Sequence, residues 1–176
     1  MIEFVHGNLF DAEVEAITNA VNCGGVMGKG IALEFKRRYP DAFAAYKRVC
    51  DTGQFRLGQV FIFDRGESVS PRYIVHFPTK NHWRDSSQIE DIETGLKSLV
   101  SELYRLQIDS IAIPALGCGL GGLEWTGVRQ EIEKAFASCI TVKVLVFLPL
   151  EHNSMPQSSQ KGNFGIDPIK GTTDNQ

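Results

Sequence analysis

Phe77-Pro78-Thr79-Lys80-Asn81-His82-Trp83-Arg84 follows the apolar run that starts at Tyr73. Tyr73 to Phe77 reads as a buried strand, because aromatic and β-branched residues without charge suit a sheet interior. A lysine, a histidine, an indole and a guanidinium therefore arrive together just past a strand end. In open α/β sheets, ligands are held at such ends.

Outward from this stretch, strands and helices alternate. Ile2 to His6, Ala16 to Val21 and Gln59 to Asp64 read as strands ahead of it, and Ser110 to Pro114 and Val142 to Leu148 after it. Gly28 to Tyr39 reads as a helix, with Ile31, Phe35 and Tyr39 at four-residue spacing. Pro40 ends it, and Asp41 starts another that turns Ala42, Ala45, Tyr46 and Val49 inward, with Gly53 as its stop. Arg65 to Arg72 is a polar turn or hairpin loop. Gln88 to Leu106 is the clearest helix, with Ile89, Ile92, Leu96, Leu99, Leu103 and Leu106 in one stripe. Ser87-Gln88-Ile89-Glu90 ahead of it has the form of a capping box. Trp125 to Ala137 is a last helix, turning Val128, Ile132 and Phe136 inward. The nearly all-apolar final strand is expected at the centre of the sheet. The pattern predicts a three-layer α/β/α domain with a mixed, mostly parallel sheet.

Residues 1–150 are enough for one domain with a sizeable core. Residues 151–176 turn polar, rich in Ser, Gly, Pro and Gln without periodicity, and are expected to form a disordered tail or linker. The formal net charge of −3 excludes a chain coated in positive charge, so any nucleic-acid contact must rest on a local patch. No apolar run approaches the roughly 20 residues of a membrane span, and Met1 to His6 lacks the features of a signal peptide. Cys23, Cys50, Cys118 and Cys139 are widely spread and lack paired metal-ligand spacing. They read as reduced thiols of a cytoplasmic protein. No metal and no cofactor is expected.

Two glycine-rich loops follow predicted strands. In Cys23-Gly24-Gly25-Val26-Met27-Gly28-Lys29-Gly30, free backbone amides and a helix N-terminus suit a phosphate. It is not a P-loop: Cys23 stands in the opening glycine slot, and Gly30 where a Ser or Thr should hold magnesium. Gly117-Cys118-Gly119-Leu120-Gly121-Gly122 spells the dinucleotide fingerprint, but only one strand remains after it, and no acidic residue ends that strand at the required distance. A nicotinamide-binding half-sheet is excluded. Two such loops at two strand ends could instead clasp a diphosphate from both sides.

Gly7 to Phe10, Ile17 to Asn22, Gly28 to Ala32 and Pro114 to Gly119 resemble the corresponding segments of macrodomains, the ADP-ribose-binding α/β/α family. Val26 to Pro40 and Phe77 to Arg84 resemble, more narrowly, macrodomains of the DarG type. Those are DNA ADP-ribosyl glycohydrolase antitoxins of DarT/DarG systems, which remove ADP-ribose from thymidine in single-stranded DNA. The resemblance implies that Asn8 and Leu9 lie by the adenine, and that Ala20, Val21 and Asn22 line the distal ribose. It implies that Gly28, Gly30 and Ile31 form the first phosphate-side loop, and Gly117, Cys118, Gly119, Leu120 and Gly121 the second. Thr79 would lie beside the site, and Lys80 would be catalytic. ADP-ribose, ADP-ribosylated single-stranded DNA and a DarT-type toxin are the implied partners. Related lysine-dependent glycohydrolases pair the lysine with a second-loop aspartate; here that position is Gly121.

Cleavage of a bond between the distal ribose C1″ and a thymine nitrogen builds positive charge on the sugar and negative charge on the base. An uncharged lysine could attack the sugar; a charged one could stabilise or protonate the leaving base. The Asn22 amide suits ribose hydroxyls. Trp83 could stack on an exposed base, His82 could relay a proton or touch a DNA phosphate, and Arg84 could track the DNA backbone. Lys36-Arg37-Arg38 could also track a DNA backbone, although the cluster suits a helix C-terminus equally. Cys118 reads as a small residue in a tight loop with no nucleophilic role. Two other readings compete: hydrolysis of ADP-ribosyl esters, on protein carboxylates or O-acetyl-ADP-ribose, and ADP-ribose binding without turnover.

Overall fold

The structure is a computed structural model, and it describes residues 1–149. The expected tail, 151–176, lies outside the described residues. In chain order the elements are β1 (Ile2–Val5), a 3-10 turn (Leu9–Asp11), β2 (Ala16–Asn22), α1 (Gly30–Arg38), α2 (Pro40–Asp51), β3 (Phe61–Asp64), β4 (Tyr73–Lys80), α3 (Ile89–Leu106), β5 (Ser110–Ile113), α4 (Trp125–Phe136) and β6 (Lys143–Phe147). The sheet order is β1-β6-β5-β2-β4-β3. Every neighbouring pair is parallel except β3 with β4, which form an antiparallel hairpin.

Side-chain alternation along the strands divides the core into two layers. Val75 and Phe77 of β4, Ile111 and Ile113 of β5, and Val144 and Val146 of β6 pack against the stripes of α3 and α4. Ile17, Ile74 and Ala112, one residue out of phase, pack against Phe35 of α1 and Ala42 of α2. The stripe residues Ile92, Leu96 and Leu99 are fully buried, each contributing about 1.5–3 kcal/mol by removal from water.

One contact sets the height of the site. At Gly95 of α3, a Cβ would stand 2.4 Å from Phe77 Cζ. Without that Cβ the helix rests directly on the Phe77 ring, three residues before Lys80.

Four expectations change. The strand expected to end at Phe77 runs on to Lys80, so the lysine is the last residue of β4 and does not lie past its end. The helix expected from Gly28 starts at Gly30, because Lys29 is extended (φ −149°, ψ 165°) and serves as its N-cap. Ser87 does not cap α3: the N-cap is Gln88, with no side-chain capping bond, and the Ser87 hydroxyl is buried without a partner. The final strand is interior but off centre, since β1 covers its outer edge. Among the described residues, no helix is long and apolar enough to cross a membrane.

Candidate functional site

β5, β2 and β4 lie side by side and run parallel, so their C-terminal ends open onto one edge of the sheet. Each end releases a loop there: 23–29 after β2, 81–88 after β4 and 114–124 after β5.

The first loop is folded by Asn22. Its Nδ2 donates to the Val26 carbonyl at 2.7 Å, and its Oδ1 accepts from the amides of Gly24 at 2.9 Å and Val26 at 3.3 Å. The Tyr46 hydroxyl, buried on α2, donates to the Asn22 carbonyl at 2.6 Å. The amide expected to be free for ribose is thus largely engaged in shaping the loop. Met27 anchors the loop from below, buried, with Asn19 Nδ2 3.7 Å from its Sδ. Gly28 and Gly30 lead into α1, whose first-turn amides have no side-chain cap and so suit an anion. Ile31 packs partly buried beside Leu9, which is buried, and Asn8 uses Oδ1 to accept from the Phe10 amide at 3.2 Å.

The second loop is closed by its own backbone. Gly122 N donates to the Gly119 carbonyl at 3.1 Å and Leu123 N to the Gly117 carbonyl at 3.0 Å. Leu120 stands exposed at its tip, with Cδ1 3.8 Å from where a Cβ on Gly30 would be. The two glycine loops therefore approach each other. Gly121 has no room for a side chain: its Cβ would stand 2.3 Å from Ser87 Oγ and 2.4 Å from the Gly117 carbonyl oxygen. Burial pushes the Cys118 thiol up to about 11, with Glu124 adding to the shift, so it is held as a thiol. Burial does the same to Cys23.

Lys80 ends β4. A bulge between Val21 and Asn22 brings it opposite Asn22, and the Cys23 amide lies 3.2 Å from the Lys80 carbonyl and 3.0 Å from that of Asn81. Lys80 Nζ donates to the carbonyls of Asp85 and Leu120, both at 2.9 Å. The amine thus ties its own loop to the second glycine loop. An ammonium has three N–H groups, so one remains for a ligand. Thr79 is buried, its hydroxyl 3.4 Å from the Val21 carbonyl. Ala20 is half-buried on the α3 and α4 side, and Val21 is buried beside Met27 and Tyr46.

After Lys80 the chain turns tightly. The His82 amide donates to Asp85 Oδ2 at 2.8 Å, and the Arg84 amide to His82 Nδ1 at 3.2 Å. The turn exposes Trp83, with the Arg84 guanidinium 4.5 Å from its ring centre. Among the described residues, no group of three or more His, Cys, Asp or Glu could hold a metal ion.

An open hollow of about 710 Å³ lies at the opposite end of the sheet, lined in part by Glu13, Glu15, Glu67 and Arg72. Three carboxylates make it a poor seat for a diphosphate.

Ser87, Tyr46 and the Asp85 carbonyl shape this site without being singled out by the sequence. Tyr46 was visible only as a core residue, and a carbonyl has no letter of its own. Ser87 was visible as a serine before a helix, which pointed to capping.

Residues 18–132 match the Macro domain family. A macrodomain of Thermus aquaticus DarG is 50% identical, with a TM-score of 0.82; the match covers 85% of this chain and 99% of that one. A macrodomain of Mycobacterium tuberculosis DarG is 45% identical, with a TM-score of 0.83, covering 85% and 98%. A Thermosipho africanus DarTG structure, in complex with ADP-ribose, is 34% identical with a TM-score of 0.78, covering 85% of this chain and 42% of that one. The curated T. aquaticus relative, named DNA ADP-ribosyl glycohydrolase, is 50% identical over 86% of this chain, which spans 42% of that protein's length. By sequence and by fold, the chain belongs to the macrodomain family, among the macrodomains of DarG.

Proposed function

We propose that this domain hydrolyses the bond between ADP-ribose and thymidine in single-stranded DNA, with Lys80 as the catalytic residue. The observation that carries the reading is the position of the Lys80 amine where the strand-end loops meet, fixed by the Asp85 and Leu120 carbonyls. The two glycine loops supply amides for the diphosphate. Asn8 and Leu9 serve the adenine end, and Ala20, Val21, Asn22 and Thr79 border the distal ribose.

In the reaction, the bond from C1″ to the thymine nitrogen breaks and its electron pair leaves with the base. Water oxygen bonds to C1″, and its proton balances the charge on the base. The remaining Lys80 N–H is suited to stabilising the departing base. Both partners of Nζ are carbonyl oxygens, which hold the amine in place as a donor. Trp83 offers a stacking face to a neighbouring base, with Arg84 behind it and His82 beside it. The biological setting of this reading is the cytoplasm, where the domain would act as an antitoxin against a DarT-type toxin.

The ester-hydrolase reading is disfavoured because a second-loop aspartate at Gly121 would collide with Ser87 and Gly117. The test is release of ADP-ribose from a thymidine-modified oligonucleotide. Lys80→Ala should lower kcat by about 10²-fold or more; full activity in that variant would defeat the mechanism. Reductive trapping of a sugar on Lys80 would establish the nucleophilic route instead. Tight ADP-ribose binding without turnover of any modified substrate would identify a binding module.

A further inference from the structure

The Ser87 hydroxyl is a buried polar group that neither the α3 cap nor the mechanism uses. Ser87 is 4% exposed, and its Oγ has no hydrogen-bond partner. Its main chain is fixed to the second glycine loop, with the amide donating to the Gly121 carbonyl at 2.9 Å. Its side chain fills the loop from beneath. Oγ lies 2.3 Å from where a Cβ on Gly121 would stand and 3.3 Å from where one on Gly117 would stand. The Gly117 carbonyl oxygen flanks the same Gly121 point at 2.4 Å. That oxygen accepts one bond, from Leu123 N, and a carbonyl has a second lone pair to offer. An unused buried hydroxyl next to a half-used carbonyl, inside a loop of glycines, is a bond left to be made.

We propose that Ser87 is a positioning residue for this site: its hydroxyl bonds the Gly117 carbonyl when the second glycine loop closes on the diphosphate of ADP-ribose. The inference rests on the reading that the two loops hold ADP-ribose. The hydroxyl favours the closed loop without touching the ligand, and leaves the ligand-free protein no better off. Lys80 gains as well, because the Leu120 carbonyl that holds its amine belongs to the same loop.

The experiment compares wild type with Ser87→Ala in the 176-residue chain. Ligand-free melting, ADP-ribose affinity by calorimetry, and turnover of a thymidine-modified oligonucleotide are measured for both. Ser87→Ala should melt at or above the wild-type temperature, because it removes an unpartnered hydroxyl. It should bind ADP-ribose roughly 2- to 10-fold more weakly, the worth of one neutral hydrogen bond. KM should rise by the same factor with kcat nearly unchanged, as expected when binding shared by ground and transition states is lost. Wild-type affinity in Ser87→Ala would overturn the inference and leave the ADP-ribose reading intact. A lower ligand-free melting temperature together with weaker binding would also overturn it, making Ser87 a structural plug. Wild-type protein that fails to bind ADP-ribose would overturn both readings.

Discussion

Gly121→Ala adds one methyl group at a point with no space for it. The new carbon would sit 2.3 Å from Ser87 Oγ and 2.4 Å from the Gly117 carbonyl oxygen. Ser87 cannot yield freely, since its backbone amide is bonded to the Gly121 carbonyl. Gly117 cannot either, since its carbonyl closes the loop through Leu123 N. The loop must therefore open, at the roughly 1–3 kcal/mol typical of overpacking. For a domain of this size that corresponds to about 2–12 °C in Tm. Gly119→Ala is the matched control, because a Cβ there meets nothing within 4 Å. Differential scanning calorimetry and ADP-ribose titration on both variants make the comparison. Gly121→Ala should lose stability and affinity together, while Gly119→Ala should melt like wild type. A Gly121→Ala protein with wild-type melting and affinity would refute the collision, and with it the physical reason for excluding an aspartate at this position.

His76 lies buried between Tyr46 and the stacked Phe61 ring, and burial lowers its pKa from 6.5 to about 3. Above pH 6.5 it is neutral folded or unfolded; between 6.5 and 3 only the unfolded chain takes the proton. Stability should fall with acidification across that window, by up to about 1.4 kcal/mol per pH unit. Urea melts of His76→Phe should lack this share of the loss, and identical pH profiles would refute it. Tyr46→Phe leaves the buried Asn22 carbonyl without its 2.6 Å donor; it should cost about 1–3 kcal/mol and weaken ADP-ribose binding, measured by urea denaturation and calorimetry. Trp83→Ala should weaken binding of a modified single-stranded oligonucleotide by about 1–3 kcal/mol and spare binding of free ADP-ribose. Equal loss for both ligands in titration would place Trp83 in the nucleotide cradle instead.

The sheet was legible because its strands are written in apolar runs and its helices in four-residue stripes. The out-of-phase packing of Ile74 and Val75 on opposite layers follows directly from strand alternation. The hairpin formed by Gln59 to Asp64 and Tyr73 onward was legible from the polar stretch between them, now pinned by Arg72 on Asp64 at 2.8 Å. The site was legible as residue types at strand ends, less so as bonds. Asn22 was readable as an amide near a ligand, but its turn inward onto Val26 and the bulge beside it are seen only in the fold. Lys80 was readable as a reactive amine, but both of its partners are backbone oxygens. Ser87 shows the limit most plainly: the letters S-Q-I-E support a cap, and only the fold reveals that the serine belongs to a loop thirty residues further on.

The double tether of the Lys80 amine has a practical side. On the proposed function, a reagent for detecting ADP-ribosylated DNA in fixed cells would be sought by trimming this lysine to stop turnover. Trimming it would also release the Leu120 carbonyl, one of the ties on the second loop beside the Ser87 amide on Gly121, so such a reagent would lose part of its grip along with turnover. A longer-lived probe would keep a donor at residue 80 that still reaches both carbonyls.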